Sequence, residues 1–103
     1  MKSEEILKKI DIKKRPPVQV LFLRLGDLYA ELNEYEKAIE YYKLYDVYGY
    51  DPRTQMRIAE VHEKMGEYDL ALKEYHSLSK SDDEDIRKKA KEGIKRIEEK
   101  KKK

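Results

Sequence analysis

The chain contains no cysteine, which excludes both a disulfide framework and a thiolate metal site. Long apolar runs are missing as well. The opening Met1-Lys2-Ser3-Glu4-Glu5 lacks the apolar stretch of a signal peptide, and no later run approaches the length needed to span a bilayer. A cytoplasmic location without membrane contact is the expectation. Neither sign of charge dominates: 24 Lys and Arg against 22 Asp and Glu leave a formal +2, too little by itself to argue for nucleic acid. Side-chain amides are scarce, with Gln19, Asn33 and Gln55 the full set. That scarcity beside abundant Lys and Glu is typical of proteins from hot environments, so a thermophilic source is expected.

What is present is a text written twice. The stretch from Gly26 to Tyr42 lies over Ala59 to Tyr75 at a constant offset of 33 residues. Apolar residues recur regularly within it, so low apolar content does not imply disorder. A period in that range points to stacked supersecondary units, and so toward holding partners rather than chemistry. The 103 residues form a single expected domain, able to bury roughly two thirds of its unfolded surface.

Local signals divide that domain. Residues 1–15 read as an N-terminal helix, from Ser3 to about Lys14 with Ile6, Leu7 and Ile10 on one side; Arg15-Pro16-Pro17 breaks it. Residues 18–50 are the first repeat. Val18 to Leu25 could pass for a strand by β-branching, but Leu21, Leu25, Leu28 and Leu32 continue at helical spacing, and Pro17 suits a first helical turn. Asn33 and Gly66 tolerate the left-handed conformation that closes a helix. Second helices follow, over about 35–48 and 68–78. Residues 51–80 are the second repeat, opened by Asp51 as cap and Pro52 in the first turn. Residues 81–103 are a capping helix with a basic tail: Ser81 to Glu84 reads as a capping box, and Ile86, Ala90, Ile94 and Ile97 form one narrow apolar stripe.

Within each repeat the first helix sets Phe22, Leu25, Gly26 and Tyr29 on one face, matched by Gln55, Ile58, Ala59 and His62. The second helix answers with Ala38 and Tyr42, or Ala71 and Tyr75. Small against large across a tight hairpin is a packing code, and this one resembles the tetratricopeptide repeat family over about 19–78. Gln55 and His62 depart from its aromatic positions, Tyr45 and Leu78 from a small one, and Pro52 stands where a proline nearer Tyr50 is usual. The resemblance implies an all-α fold, an α-solenoid of antiparallel helical hairpins whose first helices line a concave, peptide-binding groove.

The face opposite the core face is also repeated: Leu23, Arg24 and Asp27 recur as Met56, Arg57 and Glu60, and Arg53 precedes Arg57 by one turn. One reading is a groove with an apolar floor and fixed charges, in which Arg24, Arg53 and Arg57 suit carboxylates. The other is a solvated face where each Arg pairs with its own acid at i+3. The copies differ at Tyr41, Leu44 and Tyr48, an apolar stripe matched by Glu74, Ser77 and Ser81. Something covers that stripe, either the N-terminal helix or a second copy of the chain.

Catalytic and cofactor signals are absent. His62-Glu63-Lys64-Met65-Gly66 starts like a zinc-protease motif, but Gly66 holds the place of the second histidine. No cofactor or metal is expected, and no enzyme. The basic runs near Lys8, Lys13 and Lys100 carry no interleaved aromatics, which makes nucleic acid the weakest reading. The leading expectation is a protein-interaction adaptor that docks a peptide segment in the groove. The rival is a homodimerising structural module using Tyr41, Leu44 and Tyr48.

Overall fold

The computed structural model describes residues 18–102. The helix expected from Ser3 to Lys14 lies outside them. The described residues form five helices: α1 (Val18–Glu31), α2 (Tyr35–Asp46), α3 (Pro52–Lys64), α4 (Tyr68–Leu78) and α5 (Glu84–Lys101). No strand occurs among them. Val18 to Leu25 is therefore helical despite its β-branched start, because its leucine spacing continues through the whole of α1. The helix expected to reach Tyr48 ends at Asp46, two residues early.

The two first helices end in the same way. Asn33 has φ of 62° and Gly66 of 81°. Each turns the chain so that the next amide reaches five residues back: Glu34 N donates to Tyr29 O at 2.8 Å and Glu67 N to His62 O at 2.9 Å. Both ends are thus Schellman closures, met by different residues under one steric demand. Helix α3 starts as expected, with the Asp51 carboxylate accepting from Arg53 N and Pro52 in the first turn.

The start of α5 corrects the expected capping box. Its cap is Asp83, whose Oδ1 accepts from Asp85 N at 2.9 Å and Ile86 N at 3.3 Å. Ser81 Oγ instead accepts from Asp83 N at 3.1 Å, closing the preceding turn. A carboxylate beside the exposed amides of a helix start is the stronger acceptor, so it takes the cap.

Helices α1 and α2 form one antiparallel hairpin and α3 and α4 the next; α2 packs on α3, and α5 lies across α4 and α3. The first core layer joins Ala38, Tyr42, Ile58 and Val61, with Leu23, Tyr29 and Met65 against it. The second joins Met56, Ala59, Ala71, Tyr75 and Leu78 to Ile86, Ala90 and Ile97 of α5. Ala38 and Ala71 are fully buried, as are the rings of Tyr42 and Tyr75. The chain is an all-α solenoid of helical hairpins.

Close approach depends on missing side chains. A Cβ at Gly26 would stand 2.5 Å from the Tyr42 ring, and one at Gly93 2.6 Å from the Tyr75 ring. Alanine adds roughly 1 kcal/mol of helix propensity over glycine. Overpacking costs about 1–3 kcal/mol and wins here, since Tyr75 is fully buried. Gly93→Ala should therefore lower the urea midpoint; a midpoint at or above wild type would show that α5 does not sit on Tyr75.

The second fastening is polar. Glu63, 7% exposed, accepts from Tyr75 Oη at 2.8 Å and from Arg96 Nε and Nη2, both at 2.8 Å. Lys100 Nζ adds a fourth contact at 3.5 Å. The Arg96 hydrogen bonds hold the Glu63 carboxyl below its ordinary value of 4.5, outweighing burial. A depressed folded-state pKa contributes stability above the unfolded value, and that contribution is lost as pH falls through the folded one. Glu63→Gln should cost about 1.5–3 kcal/mol at neutral pH. The gap to wild type should close on acidification below the range of ordinary carboxylates, as equilibrium melts across pH would read. A gap independent of pH would rule out an ionised Glu63 as the clamp.

Candidate functional site

The first helices of the two hairpins and α5 stand side by side as leading helices, and the hollow along them is built from their facing side chains. Between α3 and α5 lies a cleft of about 310 Å³, bordered by Arg53, Met56, Arg57 and Glu60 and by Asp83, Asp85, Ile86 and Lys89. Between α1 and α3 lies another of about 270 Å³, bordered by Asp27, Tyr42, Arg57, Glu60 and Lys64 among others. A third, of about 240 Å³, carries on from Met56 and Glu60 to Glu92 and Arg96. Glu60 borders all three.

Of the residues singled out by the repeat, Arg53, Met56, Arg57 and Glu60 border the larger cleft, and Asp27 meets Arg57 and Glu60 in its neighbour. Met56 is buried rather than exposed, because α5 lies across it, and it forms the base of the cleft with Ile86. Leu23 is half-buried against the first core layer. Arg24 is exposed, and neither it nor Leu23 borders these three hollows.

Arg57 takes a partner that spacing along one helix does not reveal. Its Nε lies 3.5 Å from Asp27 Oδ1, across the hairpin boundary, rather than on Glu60 in its own helix. Asp27 also accepts from the hydroxyl of Tyr42. Burial, reinforced by that carboxylate, pushes the Tyr42 phenol above its usual range, so it remains a donor. Arg24 and Arg53 make no ion pair among the described residues. The expected trio of arginines is thus split: among the described residues one is tied down and two form no ion pair.

The opposite side of the first hairpin carries the tyrosine stripe. Phe22 stacks between Tyr41 and Tyr48, with ring centroids 6.3 and 6.2 Å away, and Tyr29 stacks on Tyr41 at 5.5 Å. Leu44 is 39% and Tyr48 58% exposed despite these contacts. His62, at an aromatic position of the repeat, donates from Nδ1 to Glu74 Oε1 at 2.6 Å. Gln55 donates to Asp46 across the hairpin boundary, and burial raises the Asp46 carboxyl despite that bond. Both substitutions replace an aromatic contact with a hydrogen bond between helices.

Sequence reasoning missed the contribution of α5. It treats that helix as a cap, yet Asp83, Asp85, Ile86 and Lys89 form one wall of the cleft. A signal existed: Gly93 follows Ala59 by 34 residues, as Ala59 follows Gly26 by 33. The close-approach position therefore recurs a third time, in a helix whose other consensus positions are charged.

The Asp27–Arg57 pair is about 40% exposed on each side. A double-mutant cycle with Asp27→Ala and Arg57→Ala should give a coupling of about 0.2–1 kcal/mol that fades in high salt. Zero coupling at low salt would mean the hairpins are not registered in this way.

Two family models, each described as tetratricopeptide repeat, match residues 21–45 and 53–84. No curated protein and no solved structure matches the chain. Such repeats generally mediate protein–protein interaction, and their proteins are typically non-enzymatic scaffolds. No described helix is long and apolar enough to cross a membrane. With matched segments over both hairpins and a small-against-tyrosine contact in each core layer, the chain belongs to the tetratricopeptide repeat family.

Proposed function

We propose that the protein is an adaptor that docks a peptide segment of another protein in the hollow along its leading helices. The observation that carries this reading is the cleft between α3 and α5. It has an apolar base in Met56 and Ile86, with side chains of both charges around it. Apolar anchoring with polar register is what recognition of an extended or helical segment requires. Arg53 and Lys89 border the cleft and make no ion pair among the described residues. They are the cations available to a ligand carboxylate, whereas Arg57 is engaged by Asp27.

Reversing Arg57 would disturb the hairpin boundary as well as the groove. The cleaner variant is Arg53→Glu with Lys89→Glu, screened beside wild type on a peptide array. Peptides retained by wild type should bind the variant about tenfold more weakly or worse, equivalent to roughly 1.4 kcal/mol, with the melting temperature unchanged. Equal retention by both proteins would remove the cleft from the reading.

A second reading, self-association, draws on the exposed apolar side chains beside the tyrosine stripe: Leu44, Val47, Tyr48 and Tyr50. Light scattering separates the two readings. A strict monomer at high concentration dismisses self-association, and a dimer dispersed by Leu44→Ser with Tyr48→Ser supports it.

A further inference from the structure

Repeat symmetry gives each residue of α1 a counterpart on α3, and among the described residues one strip of α1, half-buried at Leu21 and Leu25 and exposed at Leu28 and Leu32, lacks the full cover that its counterpart has. On α3, Thr54, Ile58 and Val61 are 0, 2 and 3% exposed. Ile58 and Val61, with Met65 packed alongside, lie against Ala38 and Tyr42 of α2, the last helix of the preceding hairpin. Thirty-three residues earlier the same strip reads Leu21, Leu25, Leu28 and Leu32. It is more apolar than the strip already buried, yet Leu28 is 49% and Leu32 61% exposed.

We propose that Ser3 to Lys14 of the same chain occupies this strip, antiparallel to α1, in the position that α2 holds against α3. Three observations support that occupant. The segment, Ser3 to about Lys14 by its sequence, has about the length of α2 (Tyr35–Asp46) and precedes it by about one repeat. As a helix it would be roughly 18 Å long beside about 21 Å for α1, so one strip spans the other. It is joined to Val18 by Arg15-Pro16-Pro17 alone, a connector as short as those between antiparallel neighbours, which makes its local concentration very high. Finally, Ile6, Leu7 and Ile10 give it the single apolar side that the strip needs.

The tyrosine stripe, the cover's other candidate seat, is a poorer fit. Phe22 and Tyr29 of α1 already lie against it, and Ser77 on the corresponding face of α4 stays exposed. Repeat geometry puts a helix on the leucine strip and none on the stripe.

Hydrogen exchange on the full chain tests this. In wild type the amides of residues 6–14 should be slowed about tenfold or more relative to an unfolded chain, equivalent to at least roughly 1.4 kcal/mol of docking. That protection should not change with protein concentration. Leu28→Glu with Leu32→Glu should abolish it, while α3 to α5 keep their own protection as the control for folding. Leu44→Ser with Tyr48→Ser should leave it intact. Unprotected amides in wild type, or protection lost only in the Leu44/Tyr48 variant, would overturn the assignment. Protection that grows with concentration would give the strip to a second copy and overturn it equally.

Discussion

A tyrosine ring laid against a bare stretch of neighbouring helix sets the spacing in this molecule. Tyr42 occupies the space a side chain at Gly26 would need, and Tyr75 does the same at Gly93. Both rings are buried, so both hydroxyls need acceptors inside the stack. Asp27 supplies one and Glu63 the other. Glu63 is too buried to stand alone, and Asp27, though partly exposed, is also shared. Asp27 draws Arg57 across the hairpin boundary, and Glu63 draws Arg96 and Lys100 from α5. A contact rule about ring size thus propagates into the charge pattern of the hollow.

The same chain of demands makes the two ends of the stack unlike. At one end α5 meets the array with Ile86, Ala90 and Ile97 and turns charged residues outward. At the other, α1 presents leucines where α3 presents buried residues to α2. A repeat cannot bury its outer face alone, so each end needs a terminator. Helix α5 provides one and, in doing so, forms a wall of the cleft. Closure of the array and construction of the cleft are one event at that end.

Much of this was legible in the text of the chain. The two copies place Ala38, Ala71, Tyr42 and Tyr75 in the core, and Asn33 and Gly66 at the helix ends, because each answers a steric demand local to one hairpin. Contacts between hairpins were harder to read. Arg57 has an acid three residues on in its own helix, and spacing alone gives no reason for it to reach back to Asp27. Glu63 corresponds to Ala30 in the first copy, so the repeat itself conceals its role; only Arg96, on α5, explains it. Asp83 displaced Ser81 as a cap for a similar reason, since Ser81, Asp82 and Asp83 are all of capping type and composition alone does not choose among them.

Ring-on-glycine contact is the premise of the whole arrangement, and it can be observed without altering the protein. Nuclear Overhauser spectra of the intact chain should show the Tyr75 ring protons close to the α-protons of Gly93, and those of Tyr42 close to Gly26. Cross-peaks at both sites are the expected result. Their absence at Gly93, in a protein whose α5 is otherwise helical, would detach that helix from the stack and remove the cleft along with it.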